Sequence, residues 1–295
     1  MKLCTFACGE QAHVGLLLPD ADMGPDARIL DLHAPEAVAA LGFPPCCLEE
    51  ILASHLEAVR SLAGTPPPDA ACVPLGSARL LAPLRTRAKV IGVARNFFCA
   101  LAELKADTPA APFWFAKMPN TVIGAGDAVR LPPDLGNVTY EGEVGLVIGK
   151  KTRAVSREEA VRCIAGYTLI NDVSASSLIK NDAGNFFRGK NVDTFCPMGP
   201  FFVSADEAPD PHNLRILVEV DGRRLQDGNT RDMVFNMFAL VSALSQTMTL
   251  EPGDVIAAGT PAGAAAAHTP PAWLRSGQTV RVHVDGFGDL VNPII

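Results

Sequence analysis

Val138-Thr139-Tyr140-Glu141-Gly142-Glu143-Val144-Gly145-Leu146-Val147-Ile148-Gly149 sets two glutamates into an apolar run of the kind that normally excludes uncompensated charge. Val144, Leu146, Val147 and Ile148 follow the acids without polar interruption, and Gly145 and Gly149 allow neighbouring backbone to come close. Such a stretch predicts a strand buried on both faces. Residues two apart on a strand share a face, with Cβ atoms roughly 6 to 7 Å apart from two rises of about 3.3 Å, so the Glu141 and Glu143 carboxylates can converge on one ion. A buried carboxylate costs several kcal/mol unless it is paired or bound to a metal. Ligation by oxygen alone suits a hard divalent cation such as Mg²⁺, Ca²⁺ or Mn²⁺. A third oxygen ligand stands in Asn171-Asp172, where a helical pattern over 156–164 gives way to a strand over 166–170 that ends on an acid. The competing reading, two solvated acids on an edge strand, is disfavoured by the apolar flanks.

Composition narrows the function classes. With 295 residues, 48% hydrophobic and 19% charged, the chain fits a globular enzyme of one large or two modest domains. A net charge of -7 and a pI near 5.4 argue against nucleic acid or an anionic membrane surface and leave a small-molecule substrate as the expected partner. The start, Met1-Lys2-Leu3-Cys4-Thr5-Phe6, has no signal-peptide core, and no stretch reaches the roughly 18 apolar residues of a membrane span, so a cytoplasmic protein is expected. The eight cysteines form no CxxC pair and read as reduced core residues, which makes a zinc site improbable.

The chain divides into a first unit, 1–75, and a larger one, 85–295. The first carries strands near 2–6, 13–18 and 29–32 and a helix over 48–62. It ends at Ala63-Gly64-Thr65-Pro66-Pro67-Pro68-Asp69, where three prolines make the best linker. The second carries short apolar runs at 90–93, 113–115, 128–131, 138–148, 214–220, 254–258 and 280–284, a strand-rich body of α+β class. Ser156-Arg157-Glu158-Glu159 reads as a capping box opening the 156–164 helix. A second helix is predicted over 233–248 to cover a sheet, with a turn at Glu251-Pro252-Gly253-Asp254 into the next strand and a mobile alanine loop at 264–267.

Several motifs in order and spacing resemble the fumarylacetoacetate hydrolase family, including its isomerase and acylpyruvate hydrolase members. They are Lys117, Tyr140-Glu141-Gly142-Glu143, the run from Ala165 to Ser174, the run from Gly189 to Pro200, and Pro252-Gly253-Asp254 through Gly259-Thr260-Pro261-Ala262-Gly263. The resemblance spans 85–295 and implies a mixed β-sheet roll with a small N-terminal α+β domain, usually a homodimer. It implies Glu141, Glu143 and Asp172 as metal ligands, commonly for Mg²⁺, with Lys190 reaching the substrate, Thr260 contacting it, and Gln226 serving either as a substrate contact or as a structural hydrogen-bonding group. These parts suit 2-oxo and β-dicarbonyl acids, because a Lewis acid can stabilise the developing enolate from which an acyl group, carbon dioxide or a proton can be moved.

The chain departs from that pattern where relatives carry Asn-Tyr-x-x-His-x-x-Glu, whose histidine and glutamate activate water. Here the segment reads Asn96-Phe97-Phe98-Cys99-Ala100-Leu101-Ala102-Glu103: the glutamate is kept as Glu103 and the histidine position is Ala100. A positioned general base contributes about 10²- to 10⁴-fold, so water-dependent C–C cleavage is weakened. The first expectation is therefore isomerisation, tautomerisation or decarboxylation. The alternatives are a C–C hydrolase in which Glu103 or a histidine such as His268 substitutes, and a metal- and ligand-binding homologue without turnover.

Overall fold

The computed structural model describes residues 1–19, 23–64, 72–84, 88–208 and 210–295. A mixed sheet runs through it in the spatial order Cys72–Pro74, Arg28–Asp31, Gln11–Leu17, Lys2–Cys8, Cys196–Ser204, Ile164–Asn171, Gly142–Ile148, Val255–Ala257, Val90–Ala94, Phe113–Lys117. Neighbours along this path are antiparallel except Val255–Ala257 and Val90–Ala94, which run parallel. A separate antiparallel sheet of four strands is ordered Arg223–Asn229, Arg215–Val220, Thr279–Val284, Gly288–Pro293. The strand-rich α+β architecture is as expected from the sequence, and no described helix is long and apolar enough to cross a membrane.

The predicted central strand is buried along its whole length, Gly142–Ile148. Its alternation sorts the side chains into two cores. Val144, Leu146 and Ile148 pack in the core that also holds Val218 and Val282, while Val147 joins Leu3, Leu16, Ile51 and Phe202 on the other side. Gly142 points to the first side, under the four-stranded sheet. A Cβ there would stand 2.3 Å from Val218 Cγ2 and 3.2 Å from Val282 Cγ1. The glycine between the two glutamates is therefore a packing requirement, and the pleat sends Glu143 to the opposite face.

The strand does not continue from 138 to 148 as predicted. Val138–Thr139 pairs with Ser174–Ala175, and Gly142–Ile148 pairs with Ile164–Asn171, so the chain changes partners at Tyr140 and Glu141. Side chains take over the ladder at the break. The Glu141 amide donates to Asn171 Oδ1 at 3.0 Å and the Gly142 amide to Gln226 Oε1 at 3.0 Å.

Other differences have local causes. Ser156 and Glu159 form the predicted capping box, but the helix is Arg157–Ala160 with a 3-10 turn after it, because Ile164 already belongs to the next strand. The second helix is Met237–Ser245 rather than 233–248, since the Asn236 side chain caps it by accepting from the Ala239 amide. The helix predicted over 48–62 contains a π turn at Ile51–His55 between Leu48–Glu50 and Leu56–Ala63. The run 128–131 makes no strand, only a bridge from Val129 to Ile294. The expected mobile alanine loop is a 3-10 turn, Ala265–Ala267, with Ala265 buried and its amide bonded to Thr139 Oγ1. Of the eight cysteines, none in a disulfide, only Cys4, Cys163 and Cys196 are buried, so the others are not the fully buried core residues expected. The proline-rich linker from Thr65 to Asp69 lies outside the described residues.

Gly142→Ala forces a methyl into Val218 and should lower stability by roughly 1–3 kcal/mol. Gly64→Ala, with its nearest neighbour 3.6 Å away, should change it little. Urea midpoints of the two variants check this contrast.

Candidate metal centre

The ends of two paired strands bring the acids together. Glu141 sits at the break before Gly142–Ile148, Glu143 lies inside that strand, and Asp172 directly follows the paired strand Ile164–Asn171. Asp172 is clasped to Glu141 by its amide, which donates to the Glu141 carbonyl at 2.8 Å. One oxygen from each of the three carboxylates lies within 4.8 Å of the others. Glu143 and Asp172 are each only 1% exposed.

Two buried lysines enter the cluster. Lys190 ends the short helix Phe186–Lys190, and Gly189 presses that helix against the preceding segment, since a Cβ there would lie 2.4 Å from Ile179 Cγ1. Lys190 Nζ donates to Glu141 Oε2 at 2.8 Å and to Asp172 Oδ2. Lys117, at the end of Phe113–Lys117, donates to Asp172 Oδ1 at 2.8 Å and to the carbonyls of Phe195 at 2.8 Å and Val173 at 3.2 Å. An ammonium has three N–H donors, so all those of Lys117 are engaged and one of Lys190 is left. The sequence motif contained Lys117, but its role became visible only through these contacts.

The charges do not balance: three carboxylates face two ammoniums. Glu143 takes the surplus. No lysine bonds it among the described residues, and it accepts from the Gly259 amide at 2.8 Å. Burial first, and the Asp172 charge second, hold its carboxyl well above the usual range. Burial also raises Glu141 against the opposing pull of Lys190. For Asp172 burial works upward too, yet Lys117 and Lys190 win and hold it below the ordinary carboxylate value. Burial disfavours the Lys190 cation, but Asp172 and Glu141 outweigh it and push the ammonium above an ordinary lysine. An oxygen-only donor set with residual negative charge, out of water, fits a hard divalent cation.

The other predicted site residues brace the cluster. Gln226, 1% exposed, accepts from the Gly142 amide and donates to Thr260 Oγ1 at 2.9 Å and the Pro261 carbonyl at 2.8 Å. Both its N–H groups are engaged, which favours the structural option over a substrate contact. Thr260 Oγ1 donates to the Gly142 carbonyl at 2.9 Å, so strand and loop are stitched together beside Glu143. Glu103, on the helix Phe98–Leu104, accepts from the Gly263 amide at 2.9 Å, and His268 Nε2 lies 2.9 Å from the Gly263 carbonyl. Cys99 adds a contact that the sequence did not announce: its amide donates to Asp232 Oδ2 at 2.8 Å, and its thiol accepts from the Ala262 amide at 3.4 Å. Arg95, with φ 59°, and buried Asn96, bonded to Phe235 and Ala258, anchor the start of this segment.

A family model described as fumarylacetoacetate (FAA) hydrolase C-terminal matches residues 89–295. The chain is 33% identical to a mitochondrial oxaloacetate tautomerase of Xenopus laevis over 298 residues, covering 100% of this chain and 90% of that protein. Among solved structures, 2-hydroxyhepta-2,4-diene-1,7-dioate isomerase from Mycobacterium marinum aligns with a TM-score of 0.77 and 32% identity, covering 100% of this chain and 98% of the other. Maleylpyruvate hydrolase from Sphingobium sp. SYK-6 aligns with a TM-score of 0.79 and 26% identity, covering 100% and 99%. Motif order, fold and full-length relatives agree: this chain belongs to the fumarylacetoacetate hydrolase family, whose members here are enzymes of oxo acids.

Proposed function

We propose that this chain is a divalent-metal-dependent enzyme that interconverts tautomers or double-bond isomers of a 2-oxo acid, with decarboxylation as the other outcome open to the same centre. The observation that carries this is the convergence of Glu141, Glu143 and Asp172 around a surplus negative charge, with Lys190 bonded to two of them. A cation such as Mg²⁺, Mn²⁺ or Ca²⁺ held by those three carboxylates would supply Lewis acidity to the substrate carbonyl. The chain's own groups do the rest. Lys117 fixes Asp172 through Oδ1 and so orients its other oxygen. Lys190 keeps one N–H for the substrate oxygen on which charge accumulates. Thr260 and Gln226 hold the Gly142 backbone in register with the loop beside the carboxylates.

The choice among reactions rests on the 96–103 segment. Ala100 offers no base, and the Glu103 carboxylate is engaged with the Gly263 amide, 160 residues away in sequence. A proton shift within the substrate needs no activated water. The relatives named tautomerase and isomerase support the same choice. Hydrolysis has one observation in its favour: Glu103 and His268 meet at one residue, through the Gly263 N–H and the Gly263 carbonyl.

Three outcomes are expected. Metal-loaded protein given a panel of 2-oxo acids and acylpyruvates should change the enol absorbance without releasing carboxylic acid; acid release at a comparable rate would make the protein a hydrolase. Glu103→Gln keeps an oxygen for the Gly263 amide and should retain kcat within about threefold, whereas Glu103→Ala should fall further; a base at Glu103 predicts that both variants lose about 10²- to 10⁴-fold. The third concerns Glu143, whose folded-state pKa is raised above 4.5, so its charged form burdens the fold increasingly as pH rises past that value. In chelator, Glu143→Gln should be more stable than wild type by about 1–3 kcal/mol at neutral pH, with the gap closing toward acid. Added Mg²⁺ should raise the melting temperature of wild type and not of the variant.

A further inference from the structure

We infer that the outer part of this site takes an apolar, planar group: the 2-oxo acid carries an aryl or similarly unsaturated substituent where other oxo acids carry a second carboxylate. This rests on the oxo-acid reading above and specifies its substrate class. The strand Phe113–Lys117 puts Phe113, Phe115 and Lys117 on one face, because alternate residues share a face. Exposure grades along it. Lys117 is 4% exposed beside Asp172, Phe115 is partly buried, and Phe113 is 50% exposed. The Phe115 ring centroid lies 4.7 Å from Lys190 Nζ, so this face of aromatic rings begins at the ammonium assigned to the substrate oxygen.

Phe186, from the helix that ends in Lys190, completes the surface. It meets Phe113 edge-on at 5.4 Å and Phe115 at 5.7 Å, and its own centroid is 5.9 Å from Lys190 Nζ. Three rings thus form a continuous track from the buried cation to solvent. Gly92, paired with Phe115 on the adjacent strand, makes the arrangement possible, since a Cβ there would stand 2.1 Å from the Phe115 ring. An aromatic surface of this kind left open to water next to a catalytic centre favours a flat apolar ligand, through offset or edge contacts.

Charge on these two elements points the same way. Their basic residues are Lys117, Arg188 and Lys190. Lys117 and Lys190 bond the acid cluster, and Arg188 is held at both Nε and Nη2 by Asp182, at 2.8 and 2.7 Å. A second substrate carboxylate lying along the track would find no unpaired cation on either element.

The test compares phenylpyruvate with oxaloacetate on the Mg²⁺-loaded protein, following enol absorbance. Wild type should show the larger kcat/KM for phenylpyruvate. Phe113→Ala should lower the phenylpyruvate-to-oxaloacetate ratio by roughly tenfold, mainly through KM, and Phe113→Lys should lower it further by offering a cation to the dicarboxylate. A wild-type preference for oxaloacetate, or a ratio unmoved in both variants, would overturn the inference. If neither acid is turned over, the reaction reading fails, and binding decides the inference alone, read by titration calorimetry. Saturation by phenylpyruvate but not pyruvate, weakened in Phe113→Ala, upholds it, and equal responses to both acids sink it. Sedimentation of wild type and Phe113→Lys closes the last route: dissociation of a larger assembly in the variant would assign the rings to a subunit contact and refute the substrate track.

Discussion

A single unbalanced negative charge inside the sheet organises this protein. Three carboxylates and two ammoniums, most of them nearly out of reach of water, leave Glu143 without a bonded cationic partner among the described residues. In an interior of low polarizability such a residue is tolerated only if something else compensates for it or if it takes up a proton. The surrounding structure is arranged around that condition. Each carboxylate sits at or beside the end of a central strand, where the backbone is rigid, and the two lysines come from separate elements that could not both reach the cluster unless the sheet were already in place. Fold and chemistry are therefore one problem, since the groups that bind are also those whose burial the fold must withstand.

The division of labour between the two lysines follows from counting donors. Lys117 is saturated by one carboxylate oxygen and two carbonyls, and Lys190 is not. Saturation makes a cation part of the scaffold; an open donor leaves it available for chemistry. The same arithmetic moves Gln226 from substrate contact to brace, because both of its N–H groups are already committed. Thr260 lies between these extremes, donating to the strand while accepting from Gln226.

Much of this was legible in the sequence, for stated reasons. An acidic pair in an apolar run is too costly to stand uncompensated, so a charged cluster is expected there, and Asp172 joins it from a strand end, with Lys117 and Lys190 as the cations. The sheet character followed from non-alternating apolar runs. What the sequence could not show was replacement of backbone pairing by remote side chains. Asn171 and Gln226 take the amides of Glu141 and Gly142, so a run that reads as one strand becomes two that belong to different pairings. Ala265 was hidden for a similar reason, since alanines in a row carry no pattern, and its burial depends on a threonine 126 residues away. Asp232, which takes the Cys99 amide, is equally remote.

The placement of the Lys2–Cys8 strand bears on how the molecule is made. It lies in the middle of the sheet, pairing on one side with its own hairpin partner and on the other with Leu80–Leu81, at Thr5 and Phe6, and with Cys196–Ser204, where Lys2 faces Val203 and Leu3 faces Phe202. During synthesis the Cys196–Ser204 strand, about 200 residues further along the chain, leaves the ribosome long after the hairpin. Until then the Lys2–Leu3 end of that border is unpaired, a surface that invites pairing with other nascent chains. Completion of the sheet is a late, long-range closure, so the rate of productive folding should be governed by that wait more than by the local elements, all of which can form early.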